Sequence, residues 1–99
     1  MLELEWSQQA RVDLLSIIDY ISDDNPDAAQ RLKEDIDRKS MKLLEHPHLY
    51  RSGRVEGTRE MVVRANFIVV YTVVCTKEAS VVRILRILHA AQLWPPMAQ

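Results

Sequence analysis

The chain begins with apolar and acidic residues in strict alternation. Residues 2–6, LELEW, therefore predict a short strand with one buried face. The residues of that face are Leu2, Leu4 and Trp6. Ser7 offers an N-cap hydroxyl, and beyond it the apolar period lengthens, which predicts a helix over residues 8–22. Its buried stripe consists of Ala10, Leu14, Ile17 and Ile21, widened by Val12, Leu15 and Ile18.

A second helix is predicted from Pro26 to about Glu45. Asn25 is its expected N-cap, and Pro26 suits the first helical position. His46 precedes Pro47, and the residue before a proline disfavours the helical region, so the helix should end there. Its apolar face consists of Ala29, Leu32, Ile36 and Leu43. The short link between the two helices predicts an antiparallel helical hairpin.

The sequence pattern in the second half of the chain predicts strands. They are expected at residues 59–65, 67–75 and 81–88, with a tight turn at Ala65-Asn66 because Asn tolerates positive φ. Residues 67–74 are apolar on both sides, as in a central strand. The segment HAAQLWPP predicts about one final helical turn. The order β-α-α-β-β-β predicts an α+β fold with the helical hairpin packed on an antiparallel sheet.

Length and composition indicate one ordinary globular domain over residues 1–99. The only cysteine, Cys75, follows a run of valines and reads as a small core residue in a reducing compartment. The longest apolar run, FIVVYTVVC, has nine residues, whereas a membrane span needs about 20. The acidic start lacks the features of a signal peptide, so we expect a cytoplasmic protein without membrane contact.

Charge is unevenly distributed between the two halves of the chain. Residues 1–45 hold six Lys/Arg and eleven Asp/Glu, whereas residues 46–99 hold seven and three. One explanation is a solvated pair of helices opposite a few surface arginines. The other is a basic half that faces an anionic partner, either nucleic acid or an acidic protein segment.

The candidate chemistry lies in arginines of the strand half. No nucleotide-binding loop, catalytic triad or metal-ligand spacing is present in the sequence, so we expect no metal and no cofactor. Gly53 and Gly57 read first as turn residues. Each arginine could instead have a structural or solvating role. Arg83 and Arg86 differ in strand parity and cannot share one face of a regular strand, so one of them should pair with a helix carboxylate or point to the concave rim of the sheet. The candidate binding residues are Arg51, Arg54, Arg59, Arg64, Arg83, Arg86, His89 and Trp94.

An ordered set of segments resembles the RelE/ParE superfamily of bacterial type II toxins. These segments include DLLSIIDYI, NPDAAQRL, HPHLYRSGR, GTREMVV, FIVVYTV and VRILRILHAAQLWP, and together they cover nearly the whole chain. The ParE branch is the most similar. The resemblance implies a toxin that inhibits DNA gyrase by protein binding and is neutralised by a ParD-like antitoxin.

The RelE branch, which cuts mRNA on the ribosome, is the alternative that the resemblance leaves open. Such cutting needs a base, an acid and cations around the phosphate. The candidates here are Arg54, Arg59 and His89, which form a sparse catalytic set. We therefore favour a non-enzymatic toxin that binds proteins and makes no sequence-specific contact with nucleic acid. Arg54 and Arg59 would then be presented at the sheet margin by the loop that contains the two glycines.

Overall fold

The structure is a computed structural model that describes residues 2–64 and 66–89. Within them lie two helices and five strands. In chain order these are β1 (Leu2–Trp6), α1 (Gln8–Asp24), α2 (Pro26–Lys42), β2 (Arg51–Ser52), β3 (Arg59–Val63), β4 (Phe67–Cys75) and β5 (Ser80–His89). The predicted α+β fold is confirmed, with the two-residue strand β2 as an addition. The final helical turn predicted for HAAQLWPP lies outside the described residues.

The five strands form one sheet in the order β1-β5-β4-β3-β2. Strands β3, β4 and β5 form the predicted antiparallel meander, and β2 extends it. In contrast, β1 pairs parallel to β5, with Leu2 opposite Ser80 and Trp6 opposite Ile84, so the sheet is mixed. Local sequence could not reveal this, because the alternation in LELEW is the same in either strand direction.

Both helices begin at the residues that their capping signals predict. The hydroxyl oxygen of Ser7 accepts a hydrogen bond from the backbone N–H of Ala10 at 3.0 Å. The side-chain oxygen of Asn25 accepts one from the N–H of Ala28, also at 3.0 Å, and Pro26 is the first residue of α2. These bonds satisfy N–H groups that have no partner within the first helical turn.

The helix ends differ from the predicted positions. Helix α1 continues to Asp24, two residues beyond the expected Ser22. Helix α2 ends at Lys42 rather than Glu45. In residues 43–45 each backbone N–H donates to the carbonyl three positions earlier, at 3.1 Å, so the chain tightens before it leaves the helical hairpin.

The core lies between the helical hairpin and one face of the sheet. Its large members include Leu32, Ile36, Leu43, Met61, Ile84 and Ile87. On β4, Val69 and Tyr71 belong to this core, whereas Ile68 and Val70 join Leu88 in a second buried cluster. Because successive strand residues point to opposite faces, β4 is buried on both sides, as its sequence predicts.

Helix α1 buries a narrower stripe than the sequence suggests. Ala10 is fully buried, and Leu14, Ile17 and Ile21 pack against the core as predicted. Val12 and Leu15 are 47% and 63% exposed, so the expectation that they widen the buried face was wrong. With 3.6 residues per turn, Val12 points away from the core stripe.

Two local predictions in the strand half were wrong. The left-handed conformation at the β3–β4 turn is adopted by Arg64, with φ of 54°, and not by Asn66. Cys75 is exposed at the end of β4 instead of being a core residue, because β4 extends beyond the area that the helices cover.

Candidate protein-binding surface

A buried carboxylate organises two of the predicted arginines. The Glu60 side chain is only 2% exposed and lies opposite Arg51 in the β2–β3 pair. It accepts hydrogen bonds from the Arg51 guanidinium at 3.0 Å and from the backbone N–H of Arg54 at 3.1 Å, and the Arg54 Nε lies 3.5 Å away. A buried carboxylate needs such partners. The two arginine side chains stay 57% and 41% exposed at the sheet rim.

The two glycines shape the loop between β2 and β3. The N–H of Gly53 donates to the carbonyl of Thr58 at 2.8 Å, and a Cβ at Gly53 would lie 2.1 Å from the Thr58 hydroxyl oxygen. Gly57 adopts φ of 84°, a left-handed conformation that other residues rarely adopt. The Thr58 hydroxyl donates to the carbonyl of Val55 at 2.6 Å. The turn reading of both glycines agrees with this geometry, and the loop that they form carries Arg54.

Arg59 is directed inward. Its guanidinium donates to the carbonyls of His48 and Tyr50, at 3.3 and 2.8 Å. The hydroxyl of Tyr71 donates to the carbonyl of Pro47 at 2.8 Å. Burial raises the pKa of Tyr71 to about 12, although the charge of Arg59 acts in the opposite direction. Arg59 and Tyr71 therefore hold the connection between α2 and β2, and Tyr71 stays protonated near neutral pH.

The other three arginines pair with carboxylates from the first half of the chain. The pairs are Arg64 with Asp35 at 3.0 Å, Arg83 with Glu5 at 2.8 Å, and Arg86 with Asp13 at 2.7 Å. The first two arginine side chains are 46% and 40% exposed, whereas that of Arg86 is 17% exposed. Carboxylates of the acidic first half of the chain thus neutralise much of the positive charge of these arginines.

The most buried of these pairs forms at a bulge in β5. Val70 lies opposite Arg86, and Tyr71 lies opposite Ile84, so Leu85 is left without a partner on β4. The bulge breaks the regular alternation of β5. Of the two arginines that differ in parity, Arg86 is therefore the one that reaches a buried helix carboxylate.

Asp13 accepts a backbone hydrogen bond at the edge of β5, beyond the point where β1 ends. Its carboxylate accepts hydrogen bonds from the Arg86 guanidinium at 2.7 and 3.1 Å, the backbone N–H of Ile87 at 3.0 Å and the Gln9 amide at 3.0 Å. Burial raises the pKa of Asp13, but these hydrogen bonds and the Arg86 charge outweigh it and hold the pKa below its ordinary value. Asp13 is therefore ionised across the neutral range.

Asp35 connects α2 to the β3–β4 turn. One carboxylate oxygen accepts from Arg64 Nε at 3.0 Å, and the other contacts the guanidinium of Arg38. The hydrogen bond from Arg64, with the charges of Lys39 and Arg38, lowers the pKa of Asp35 although burial opposes this. Sequence reasoning missed Asp13, Asp35 and Glu60. In each case the sequence carried a signal, because the acidic residue lies within or beside the apolar pattern of its helix or strand.

His89 lies at the other end of the sheet, beside an apolar groove. Its ring meets that of Phe67 edge to face, with centroids 5.7 Å apart. The groove has a volume of about 340 Å³ and is lined by Ser16, Ile17, Tyr20, Ile21, Phe67 and His89. Trp94, which was also predicted as a binding residue, lies outside the described residues.

The structure does not bring together the residues of the ribonuclease alternative. Arg59 lies opposite Tyr71 on β4, whereas His89 lies opposite Phe67. Four residues of strand separate these positions, which is about 13 Å along β4. Arg54 lies on the loop at the Arg59 end. Within residues 2–64 and 66–89, no group of three or more His, Cys, Asp or Glu side chains is arranged to hold a metal ion.

Comparison with known proteins places this chain in a protein family. Residues 4–94 match the family described as the ParE toxin of the type II toxin-antitoxin system, parDE. This chain belongs to the ParE toxin family. It is 36% identical to the protein Y4kP of Sinorhizobium fredii over 93 residues, which is 93% of this chain and 92% of that protein. It is 35% identical to Toxin RelE2 of Caulobacter vibrioides over 95 residues, 94% of this chain and all of that protein.

A solved structure supports the same assignment. The chromosomal ParDE toxin-antitoxin system of P. aeruginosa contains a chain that superposes with a TM-score of 0.76 and 25% identity, covering 90% of this chain and 96% of that one. The resemblance to the RelE/ParE superfamily is thus confirmed, and the protein is a type II toxin. None of the helices in the described residues is both long and apolar enough to span a membrane.

Proposed function

We propose that this toxin inhibits DNA gyrase by binding to it, and that a ParD-like antitoxin neutralises the toxin. The match to the ParE family over residues 4–94 and the likeness to a ParDE system support this assignment. Gyrase works on DNA in the cytoplasm, so the toxin acts there.

The separation of Arg59 from His89 is the observation that favours protein binding over RNA cleavage. Acid–base catalysis needs its groups within hydrogen-bond reach of one reacting phosphate. The backbone positions of these two residues are about 13 Å apart along the sheet and two strands apart across it. The Arg59 guanidinium is also engaged by two backbone carbonyls. This arrangement favours a toxin that acts by recognition.

The arginines that stay partly exposed are the proposed contacts for gyrase. Arg51, Arg54, Arg64 and Arg83 have side chains between 40% and 57% exposed, and each is oriented by a carboxylate. An oriented guanidinium loses less conformational entropy when it binds, and arginine is enriched among the residues that dominate interface energy. Arg59 and Arg86 contribute by holding the surface in shape.

The ParD-like antitoxin is proposed to cover apolar surface on the helical hairpin. Leu15 and Tyr20 of α1 are 63% and 79% exposed, and Tyr20 also lines the groove beside His89. Exposed apolar residues next to a groove are typical of a surface that a partner helix fills.

A gyrase supercoiling assay with purified toxin tests the main proposal. We expect supercoiling of relaxed plasmid to fall with toxin concentration. Arg83→Gln should weaken inhibition, since it removes a partly exposed guanidinium of the sheet. Lys33→Gln is the matched control, because Lys33 is also a half-exposed cation in an ion pair but lies on α2. Unchanged supercoiling at large molar excess of folded toxin would refute the proposal.

One observation, the 35% identity to Toxin RelE2, supports the ribonuclease alternative. The same toxin preparation is added to ribosomes translating a defined mRNA, and the transcript is examined for cleavage. Gyrase inhibition without cleavage supports the main proposal. Cleavage that His89→Ala abolishes, together with normal supercoiling, would establish the alternative instead.

A further inference from the structure

The groove beside His89 can accept an apolar side chain from a partner. Its lining includes Ile17 and Ile21 of α1 and Phe67 of β4. The volume of about 340 Å³ is roughly ten times the ~30 Å³ that one water molecule occupies in the liquid, so a leucine or phenylalanine side chain fits. Tyr20, which also lines the groove, is 79% exposed, and such a side chain would cover its ring.

Two carboxylates of α1 form an acidic rim beside this groove. Asp23 and Asp24 follow Tyr20 by three and four residues, so they lie on the same side of α1, about 5 Å further along the helix. Both are exposed, and neither forms an ion pair within 4.0 Å in the part of the chain that the structure describes. We call the groove with these two carboxylates the acidic groove.

The end of α1 adds to the negative potential of the rim. The helix ends at Asp24, and its last turn contains no basic residue. The carbonyl groups at the C-terminal end of a helix carry about −0.5 of an elementary charge, so a carboxylate at that end is unfavourable. A cation supplied by a partner would therefore relieve a repulsion that is present in the free toxin.

Neighbouring cations do not cancel this negative charge. Residues 12–30 contain five aspartates and no lysine or arginine. Asp13 is paired with Arg86, which leaves four carboxylates. Arg31, the next cation along the chain, would reduce the excess only from −4 to −3. Charge complementarity therefore favours a basic partner at this end of the helical hairpin.

We propose that the acidic groove binds a basic helical segment of the antitoxin, in which an apolar residue and a lysine or arginine lie one turn apart. This rests on the proposed neutralisation by an antitoxin and names the chemistry of the segment responsible. The apolar side chain enters the groove, and the cation meets Asp23, Asp24 and the end of α1. Because the groove and the two carboxylates are one turn apart on α1, a partner helix with the same spacing matches both.

Other occupants fit the acidic groove less well. A small apolar ligand would fill the groove but leave both rim carboxylates without a counter-charge. A second copy of this chain, related by a twofold axis at the groove, would bring its own Asp23 and Asp24 towards those of the first, and like charges repel. A basic polypeptide meets both the apolar and the acidic part.

Matched helical peptides test the proposal by fluorescence anisotropy. Three labelled, alanine-rich peptides of about 20 residues, long enough to form a helix alone, carry the same two leucines one turn apart. The next turn holds two arginines, two glutamines or two glutamates. The arginine peptide should bind about 2- to 30-fold more tightly than the glutamine peptide at low salt, the range for two exposed ion pairs, and the glutamate peptide should bind most weakly. An arginine peptide that binds no better than the others, or no binding at about 1 mM toxin, would overturn the proposal.

A double variant tests the role of the rim. Asp23→Asn/Asp24→Asn should bind the three peptides almost equally. Its melting temperature should stay the same or rise, because two carboxylates leave the negative end of α1, so unfolding would not explain the loss. The control Glu45→Gln/Glu78→Gln removes two exposed carboxylates, one after α2 and one in the β4–β5 turn, and should discriminate between the peptides like the wild type. Equal effects of the two double variants would contradict a role for the rim.

NMR chemical shifts locate the bound peptide. The signals of Tyr20, Phe67 and His89 should shift when the arginine peptide is added. Ser16→Trp places a large ring at an exposed position of the groove lining and should prevent these shifts. Shifts confined to the arginines of the sheet would overturn the proposal, and so would groove signals that change with toxin concentration alone, because they would show that a second copy fills the groove.

The outcomes for this proposal and for the proposed function are separate. The peptide assays contain no gyrase, and the supercoiling assay contains no peptide. Peptides that fail to bind would mean that an antitoxin acts elsewhere on the toxin, and gyrase inhibition would still stand. Unchanged supercoiling would refute gyrase inhibition and leave binding at the acidic groove intact.

Discussion

Replacing Asp13 with asparagine should strongly destabilise this toxin. The Asp13 carboxylate is 9% exposed, and it connects α1 to the bulge of β5 through the Arg86 guanidinium and the N–H of Ile87. Asparagine has nearly the same shape but has no charge and only one acceptor oxygen. The substitution therefore removes the negative charge that faces Arg86 from α1, and at least one hydrogen bond, while it preserves packing.

The magnitude follows from the burial of the pair. Removing one partner of a buried ion pair destabilises a protein by about 3–5 kcal/mol. The Arg86 side chain is 17% exposed and keeps some contact with water, so we expect the lower end, about 3 kcal/mol. A domain of this size has a free energy of unfolding of about 5–15 kcal/mol. The melting temperature should fall by roughly 12–24 °C.

Urea denaturation followed by circular dichroism measures this loss, and its pH dependence tests the cause. The pKa of Asp13 is lowered by folding, so its contribution is present above the unfolded value of about 3.9 and disappears as pH falls through the folded value. The difference between Asp13→Asn and wild type should therefore be full at pH 7 and shrink below about pH 4. Asp19→Asn, at an exposed position of α1, is the matched control. A loss of less than about 1 kcal/mol at pH 7 would refute the reasoning.

Three further substitutions test local geometry by urea denaturation. Tyr71→Phe should lose about 1 kcal/mol at pH 7. Because folding raises the pKa of Tyr71 to about 12, its contribution is full below about pH 10 and lost as pH rises towards 12, and the variant should lack this alkaline loss. Gly53→Ala should destabilise by roughly 1–3 kcal/mol through the clash with Thr58, and adding Thr58→Ala should recover part of the loss. Gly57→Ala meets no atom within 4 Å and should lose only about 1–2 kcal/mol from its positive φ, and a larger loss than Gly53→Ala would contradict this ranking.

Sequence predicts the elements of this fold well because their signals are local. The caps at Ser7 and Asn25, the apolar period of each helix and the two-sided burial of β4 depend on residues close together in the chain. Features that depend on distant residues could not be predicted. The parallel placement of β1 beside β5 and the bulge opposite Tyr71 arise only when the sheet assembles.

The candidate site shows the same division. Sequence identified the arginines as a group, but not the carboxylates that orient them. Arg64, Arg83 and Arg86 pair with residues 29, 78 and 73 positions away, and no local pattern encodes such a match. Glu60 is adjacent to Arg59 in sequence, yet it binds Arg51 and Arg54 because strand alternation places it on their side of the sheet.

Pairing also changes what the charge balance of the two halves means. The balance suggested that the basic half of the chain meets an anionic partner, but its arginines are largely neutralised by carboxylates, and those of Arg64, Arg83 and Arg86 come from the acidic half. Oriented and half-neutralised arginines on the sheet suit short directional contacts with a protein. Charge must therefore be counted after pairing before it can indicate where a partner binds.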